Sequence, residues 1–193
     1  MNNESSGTTN PGNTPSLNRT AIQLGEYRQA TAADAPAVLD LTLRAYQPIR
    51  ELGINFAAAN ADLALVEKNI RDHICLIREE NGRVIATITA RMPWGPQPGP
   101  FGVPHLWWFA TDPDIGRKGI GRETMSWCEE VFVRDTLKCP SVSLGTAESH
   151  PWLVQMYERR GYKIMGTKDL GRGHTTVYMK KDLLHTGPSE EEN

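Results

Sequence analysis

Seven consecutive residues, Gly116-Arg117-Lys118-Gly119-Ile120-Gly121-Arg122, combine three glycines with three cations. The chemistry open to such a set is anion binding. Glycines let backbone N–H groups approach an oxyanion closely, and the basic side chains add charge. The flanks sharpen this reading. Leu106 to Thr111 is apolar on both alternating faces, as a strand buried on both sides would be. From Ile120 a helical pattern starts at once, with Ile120, Thr124, Trp127, Cys128 and Val131 on one face. A buried strand, a glycine-rich turn and a helix N-terminus suit a phosphate or pyrophosphate. The plainer alternative is a solvated basic turn. Neither Gly-x-x-x-x-Gly-Lys-Ser/Thr nor a complete Gly-x-Gly-x-x-Gly is present, because Thr124 stands at the third glycine.

The elements that must hold this turn in place can be read along the chain. The 193 residues suit one domain with a sizeable core and flexible ends. Residues 1–24, rich in Asn, Thr, Ser, Gly and Pro, are expected to be a disordered tail, and residues 185–193, with three glutamates before Asn193, an acidic one. Between them, residues 25–184 form the expected domain. Glu26 to Ala30 reads as a strand. Thr31 to Asp34 carries helix-cap chemistry, with Pro36 in the first turn. The helix that follows should end or kink at Pro48. A second helical segment covers about Ala58 to Arg71. His73 to Glu79 and Arg83 to Met92 flank Glu80-Asn81-Gly82, whose Asn-Gly pair predicts a hairpin. Pro93 to Pro104 is a proline-rich loop, either functional or a stiff connector. Beyond the opening strand, turn and helix come a strand over Ser141 to Thr146 and a helix capped by Ser149 and closed at Gly161. A final pair, Tyr162 to Lys168 and Thr175 to Lys180, is joined through Gly171-Arg172-Gly173. The order β-α-α-β-β-β-α-β-α-β-β implies a mixed α/β sheet with helices on both faces.

Composition excludes several classes of function. A net charge of −2 advertises neither a nucleic-acid nor a membrane partner, so any basic site is local. No apolar run approaches the roughly 18 residues of a membrane span, and no secretory signal pattern opens the chain. Cys75, Cys128 and Cys139 are odd in number and widely spaced, which suits free thiols in a reducing cytoplasm rather than disulfides. The five histidines show no paired ligand spacing, so no metal is expected.

The glycine-rich turn and the element order resemble the GNAT superfamily of acetyl-CoA-dependent N-acetyltransferases over about residues 25–182. The family's loop, Gln/Arg-x-x-Gly-x-Gly/Ala, is matched by Gly116 to Gly121 with one departure: Gly116 stands where the family has Gln or Arg, and the arginine follows one residue later. A second segment, Trp152 to Tyr162, is similar to the family's Ala-x-x-Leu-Tyr-x-x-x-Gly-Phe, with Leu153, Met156, Tyr157, Gly161 and Tyr162 at the matching positions. His150 occupies the place of an asparagine that in many members touches the pantetheine arm. The fold implied is a mostly antiparallel central sheet flanked by helices.

The resemblance also assigns roles. Backbone N–H groups from Arg117 to Arg122, with the Arg117, Lys118 and Arg122 side chains, would cradle the pyrophosphate of acetyl-CoA. Phe109, Ala110 and Thr111 would pair with pantetheine, or serve as core, or both. Tyr157 would protonate the departing thiolate; otherwise it is an amphipathic core tyrosine. Glu148, with His105 second, is the candidate base for the amine. A lysine-like amine is about 4.6 kcal/mol from neutral at pH 7 and an α-amine about 1.4 kcal/mol, so a base matters more for the first. Tyr46, Arg50, Phe56 and Trp94 are candidates for the acceptor pocket. The expected activity is direct acetyl transfer from acetyl-CoA to a primary amine of a small molecule: an amino acid, a polyamine or an antibiotic-like compound. The rivals are a peptide or protein N-acetyltransferase, a non-catalytic acyl-CoA-binding module, and a donor longer than acetyl. Candidate partners are the small amine and a second copy of the chain in a homodimer.

Overall fold

Asn81 and Gly82 both take left-handed backbone angles, φ 51° and 75°, and close the predicted hairpin with Glu80 opposite Arg83. This turn anchors the computed structural model, which describes residues 22–184. The two expected tails lie outside the described residues, with one correction. Residues 22–24 belong to the domain: Gln23–Leu24 is a strand, β1, on the sheet edge, and Ile22 and Leu24 pack on the core. These two apolar side chains end the polar N-terminal stretch and cover surface that would otherwise face water.

The remaining elements are β2 (Tyr27–Gln29), α1 (Ala35–Ala45), α2 (Gln47–Glu51), α3 (Leu63–Asp72), β3 (Ile74–Glu80), β4 (Arg83–Arg91), β5 (His105–Thr111), α4 (Ile120–Trp127), β6 (Ser141–Ala147), α5 (Leu153–Arg159), β7 (Lys163–Asp169) and β8 (Thr175–Asp182). They build one sheet in the order β1-β2-β3-β4-β5-β6-β8-β7, in which β5 and β6 alone run parallel. The α/β class and the largely antiparallel sheet are as expected. Sheet residues alternate between two cores: Cys75 and Ile77 meet Val38, Leu41 and Val66 of α1 and α3, while Leu76 and Ile88 meet Met125 and Phe132 on the other side.

Local sequence explains most boundaries. Thr31 and Asp34 form a capping box, the Thr31 N–H donating to Asp34 Oδ2 at 2.7 Å. Pro48 sits in the first turn of α2, which starts after a break at Tyr46. The second helical segment begins later than its apolar spacing predicts: Ala57–Asn60 is a 3-10 turn, and Asp62 caps α3 by accepting from the Leu65 N–H at 2.8 Å. Likewise α5 begins at Leu153 with Trp152 at its N-cap, so Ser149 is not the cap.

The largest departure lies after α4. Cys128–Thr136 continues it in the wider π register, where the Leu137 N–H donates to the Phe132 carbonyl, five residues back. The extra residue per turn rotates the buried face. Phe132 and Val133 point inward, Val131 is 37 % exposed, and Glu129 is carried into the core at 1 % exposure.

Two features of β5 open a gap in the sheet. Its parallel pairing with β6 stops after His105–Ser143 and Leu106–Leu144, so Trp107 to Thr111 runs on without a β6 partner. On its other side β5 carries a bulge, because Thr89 faces Trp107 while Thr87 faces Ala110. Trp108 takes φ 53° there, an unfavourable conformation for a bulky residue. Burial to 3 % exposure and an indole N–H bond to Thr42 Oγ1 at 2.9 Å hold it.

Candidate active site

The gap between β5 and β6 opens into a cleft of about 980 Å³ that runs from the start of α4 to the α2 segment and the β7–β8 turn. Phe109, Ala110, Thr111, Gly121, Arg122, His150 and Tyr157 line it, so the structure gathers residues predicted from two distant segments. A Cβ on Gly121 would lie 3.6 Å from the Phe109 ring and 3.9 Å from the Thr111 methyl, which measures how closely the start of α4 sits on the free part of β5. Gly116 and Gly119 take φ 70° and 100°, conformations that favour glycine and that shape the turn entering the helix.

The cations of the turn are not equivalent. Arg117 is held by Glu80 at 2.6 Å and Glu123 at 3.3 Å, and Arg78 shares both carboxylates. Its charge is therefore largely matched within the fold. Lys118 and Arg122 have no ion-pair partner among the described residues, and Arg122 faces the cleft. Gly116, Arg117, Lys118, Gly119 and Ile120 lie on the approach to the cleft rather than in its wall, and Ile120 is buried against Ile85 and Ala86.

Three tyrosine hydroxyls are committed: Tyr27 donates to Thr124, Tyr46 to the Phe109 carbonyl at 3.0 Å, and Tyr162 to Glu129. Tyr157 has no such partner among the described residues. Burial pushes its hydroxyl up to about 12, Arg160 pulling it down and Glu129 pushing it up more weakly. A proton kept on that oxygen across the neutral range is available for donation. Tyr162 packs edge-on against its ring at 5.6 Å, and behind both lies Glu129, bonded to Lys181 at 2.6 Å and Arg160 at 3.2 Å.

The candidate bases fare differently. Glu148 is exposed and stands outside the cleft, in a separate hollow of about 300 Å³ with Pro151, Gln155 and Thr167. Glu148 therefore stands apart from the gap between β5 and β6. His105 does line the cleft, but burial and the nearby Arg91 push it down to about 4, so it is neutral at pH 7 and a weak base. Its Nδ1 meets Ser143 Oγ at 2.9 Å. The proline-rich loop lies directly over it, since a Cβ on Gly99 would come within 2.5 Å of the His105 Cβ. His150 is buried with its Nδ1 unpartnered, lowered in pKa by that burial, and touches both hollows.

At the other end of the cleft, Tyr46, Phe56 and His174 form an edge-to-face chain of rings from α1 to the β7–β8 turn. Of the four residues expected at an acceptor pocket, Tyr46 and Phe56 line the cleft. Arg50 is not free, because it donates to the Leu43 and Ala59 carbonyls at 2.8 Å each, and Trp94 is 77 % exposed and outside the cleft. Sequence reasoning missed Arg91, Arg172, His174 and Tyr178, which line this end. Arg91 closes β4, whose interior carries no charge, and Arg172 sits between two turn glycines; only the first carries a signal, a charge at the end of a buried strand.

Residues 37–162 match the Acetyltransferase (GNAT) family. The chain is 66% identical over 159 residues, 82% of its length and 96% of the relative's, to the S-(2-succino)cysteine N-acetyltransferase of Bacillus subtilis strain 168. It is 43% identical, over 82% of its length and 89% of the relative's, to the S-alkylcysteine N-acetyltransferase of the same strain. Among solved structures, a GNAT-family protein from Desulfovibrio desulfuricans superposes with a TM-score of 0.62 at 17% identity, covering 82% of this chain and 98% of that one.

Proposed function

Because the chain belongs to the GNAT acetyltransferase family, we propose that it moves the acetyl group of acetyl-CoA directly to the α-amine of an S-substituted cysteine of the S-(2-succino)cysteine type. The observation that carries the acceptor is the 66% identity to the succinocysteine enzyme against 43% to the S-alkylcysteine enzyme. No helix among the described residues is long and apolar enough to cross a membrane, and the free thiols favour a cytoplasmic setting.

The residues present fit the donor, whose part is to supply the acetyl thioester. The unpaired stretch Phe109 to Thr111 offers backbone groups to pantetheine, while the Phe109 carbonyl is already steadied by Tyr46. The N–H groups from Arg117 to Arg122, with Lys118 and Arg122, hold the pyrophosphate at the start of α4. His150 flanks the pantetheine arm. Tyr157 gives its proton to the departing thiolate, an uphill transfer that positioning in the cleft must offset.

An α-amine suits a cleft with no strong base. Its neutral form costs about 1.4 kcal/mol at pH 7, so it can lose its proton to water before it binds. As the nitrogen attacks the thioester carbonyl and the C–S bond breaks, the proton that the nitrogen sheds makes good the one Tyr157 gives to sulfur, so the step balances without the displaced Glu148 or the neutral His105. The test is free-thiol release from acetyl-CoA against a panel of S-(2-succino)cysteine, S-alkylcysteines, lysine, a polyamine and an N-terminal peptide. The expected result is the highest kcat/KM for S-(2-succino)cysteine. Tight acetyl-CoA binding with no thiol release would leave a non-catalytic acyl-CoA module, and preference for the peptide would move the assignment to protein substrates.

A further inference from the structure

Among the residues lining the cleft, the carboxylates are Glu129 and Glu130 alone, and Glu129 is matched by Arg160 and Lys181. The acceptor end therefore holds an imbalance. Arg91 and Arg172 both line it, neither has an ion-pair partner among the described residues, and Arg172 is close enough for its charge to weigh on Arg91. Burial and that repulsion push Arg91 down to about 10, which still leaves it charged at pH 7. The groups around it offer no compensation: His105 and His73 are themselves disfavoured as cations by its field, and Tyr178 helps only slightly. Arg91 is half-buried and Arg172 exposed, so water screens the second more than the first, and an anion held between the two would relieve their repulsion.

Arg91 is also held in position. Its guanidinium lies 3.5 Å from the centre of the Trp107 ring. The Trp107 indole N–H donates to Asn69 Oδ1 at 3.0 Å, and Asn69 Nδ2 donates to Thr89 Oγ1 at 2.8 Å. Asn69 is 3 % exposed, so this chain is fixed by packing rather than by solvent. The Arg91 Nε is buried with no hydrogen-bond partner. A guanidinium clamped over an aromatic face keeps its in-plane donors free, which is the geometry that carboxylates accept in pairs.

We propose that Arg91, seated on Trp107, and Arg172 form a carboxylate-binding subsite that reads the acidic S-substituent of the acceptor, making the enzyme selective for dicarboxylic over alkyl substituents. The inference rests on the S-substituted cysteine reading above. It adds which residues recognise the substituent rather than the amino-acid portion.

The test compares wild type with Arg91→Gln, Arg91→Lys and Arg172→Gln on S-(2-succino)cysteine and S-ethylcysteine, with the acetyl-CoA KM measured for each and binding of both amino acids followed by calorimetry. Loss of a charge-assisted pair predicts a fall of about 10- to 100-fold in kcat/KM for S-(2-succino)cysteine in Arg91→Gln, carried mainly by KM. S-ethylcysteine should change no more than a few-fold, so the ratio between the two substrates collapses. Arg91→Lys should recover only part of the loss, because an ammonium lacks the fork. An equal fall on both substrates would overturn the proposal, since it would assign Arg91 to the shared α-carboxylate or to folding. A raised KM for acetyl-CoA in its place would overturn it too, giving the pair to the phosphates of the donor. Should wild type acetylate neither amino acid yet bind S-(2-succino)cysteine in an Arg91-dependent way, the functional reading fails and the subsite stands. Binding of neither would overturn both.

Discussion

At the scale of single residues, the cleft separates groups left without partners among the described residues from groups spent on the fold. Tyr157 is buried and has no partner for its hydroxyl among the described residues, whereas Tyr46 and Tyr162 are committed elsewhere. Against a thiol near 8.5, a hydroxyl raised to about 12 faces a proton transfer about 5 kcal/mol uphill, more than an isolated tyrosine would. It also stays protonated well above neutral pH, so the acid is present wherever the amine is deprotonated. Tyr157→Phe should therefore lower kcat by about 100- to 1,000-fold with little change in the acetyl-CoA KM; steady-state kinetics from about pH 6.5 to 9.5 check this, and full kcat throughout would remove the acid role. The two arginines of the turn invite a paired experiment. Arg117 is tied to Glu80 and Glu123, while Arg122 faces the cleft without an acid partner among the described residues. Arg122→Ala should raise the acetyl-CoA KM by about tenfold and Arg117→Ala by less, with the choice of amine unchanged in both. The order, read from donor titrations, is the opposite of what the family spacing alone suggests.

At the scale of elements, what was legible followed from local rules. Asn81-Gly82 specified its hairpin, and Thr31 to Asp34 its cap, because turn and cap chemistry involve only neighbouring residues. The strand, turn and helix around Gly119 were legible for the same reason. The π register after Trp127 was not, since periodicity at 3.6 residues cannot announce an inserted residue. The 3.6-residue period puts Val131 on the face shared by Ile120, Thr124, Trp127 and Cys128, whereas in the structure Val131 is exposed and Glu129 is buried. A strand exit does not specify which hollow the next residue faces, so the placing of Glu148 outside the main cleft is not legible in sequence, and the lack of an ion-pair partner for Arg91 among the described residues is a three-dimensional fact. The cap itself makes a pH prediction. Asp34, bonded to Arg28 at 2.8 Å and 2.9 Å, is held down at about 2 from an ordinary 3.8, chiefly by that hydrogen bond. A lowered native pKa means that the unfolded chain takes up the proton first. The contribution of Asp34 to stability is full above about pH 4 and disappears as pH falls towards 2. Asp34→Asn should lower the Tm near pH 7 and narrow its gap from wild type on acidification, followed by thermal melts at closely spaced pH values.

At the scale of the whole molecule, the sheet is two half-sheets joined by a short seam. β3 to β5 and β6 to β8 are each bound by long antiparallel ladders, but β5 and β6 meet at only two register pairs, His105–Ser143 and Leu106–Leu144. Beyond Leu106 the backbone of β5 on that side has no strand partner, and the cleft runs through the opening. A donor that pairs with Phe109 to Thr111 on one wall and contacts His150 on the other completes the seam as an added strand would. Ligand binding of this kind should stabilise the fold as a whole and the seam most. At a donor concentration 100 times its Kd the gain is about 2.7 kcal/mol, a rise in Tm of about 5–10 °C for a domain of this size. Local protection should be less uniform. Hydrogen exchange with acetyl-CoA present should slow at the amides of Phe109 to Thr111 and of Gly119 to Arg122 by more than the global gain explains, while the β3–β4 hairpin, already closed by its own ladder, should slow only with the whole. Uniform slowing across the sheet would place the donor elsewhere and return the open seam to a matter of folding alone.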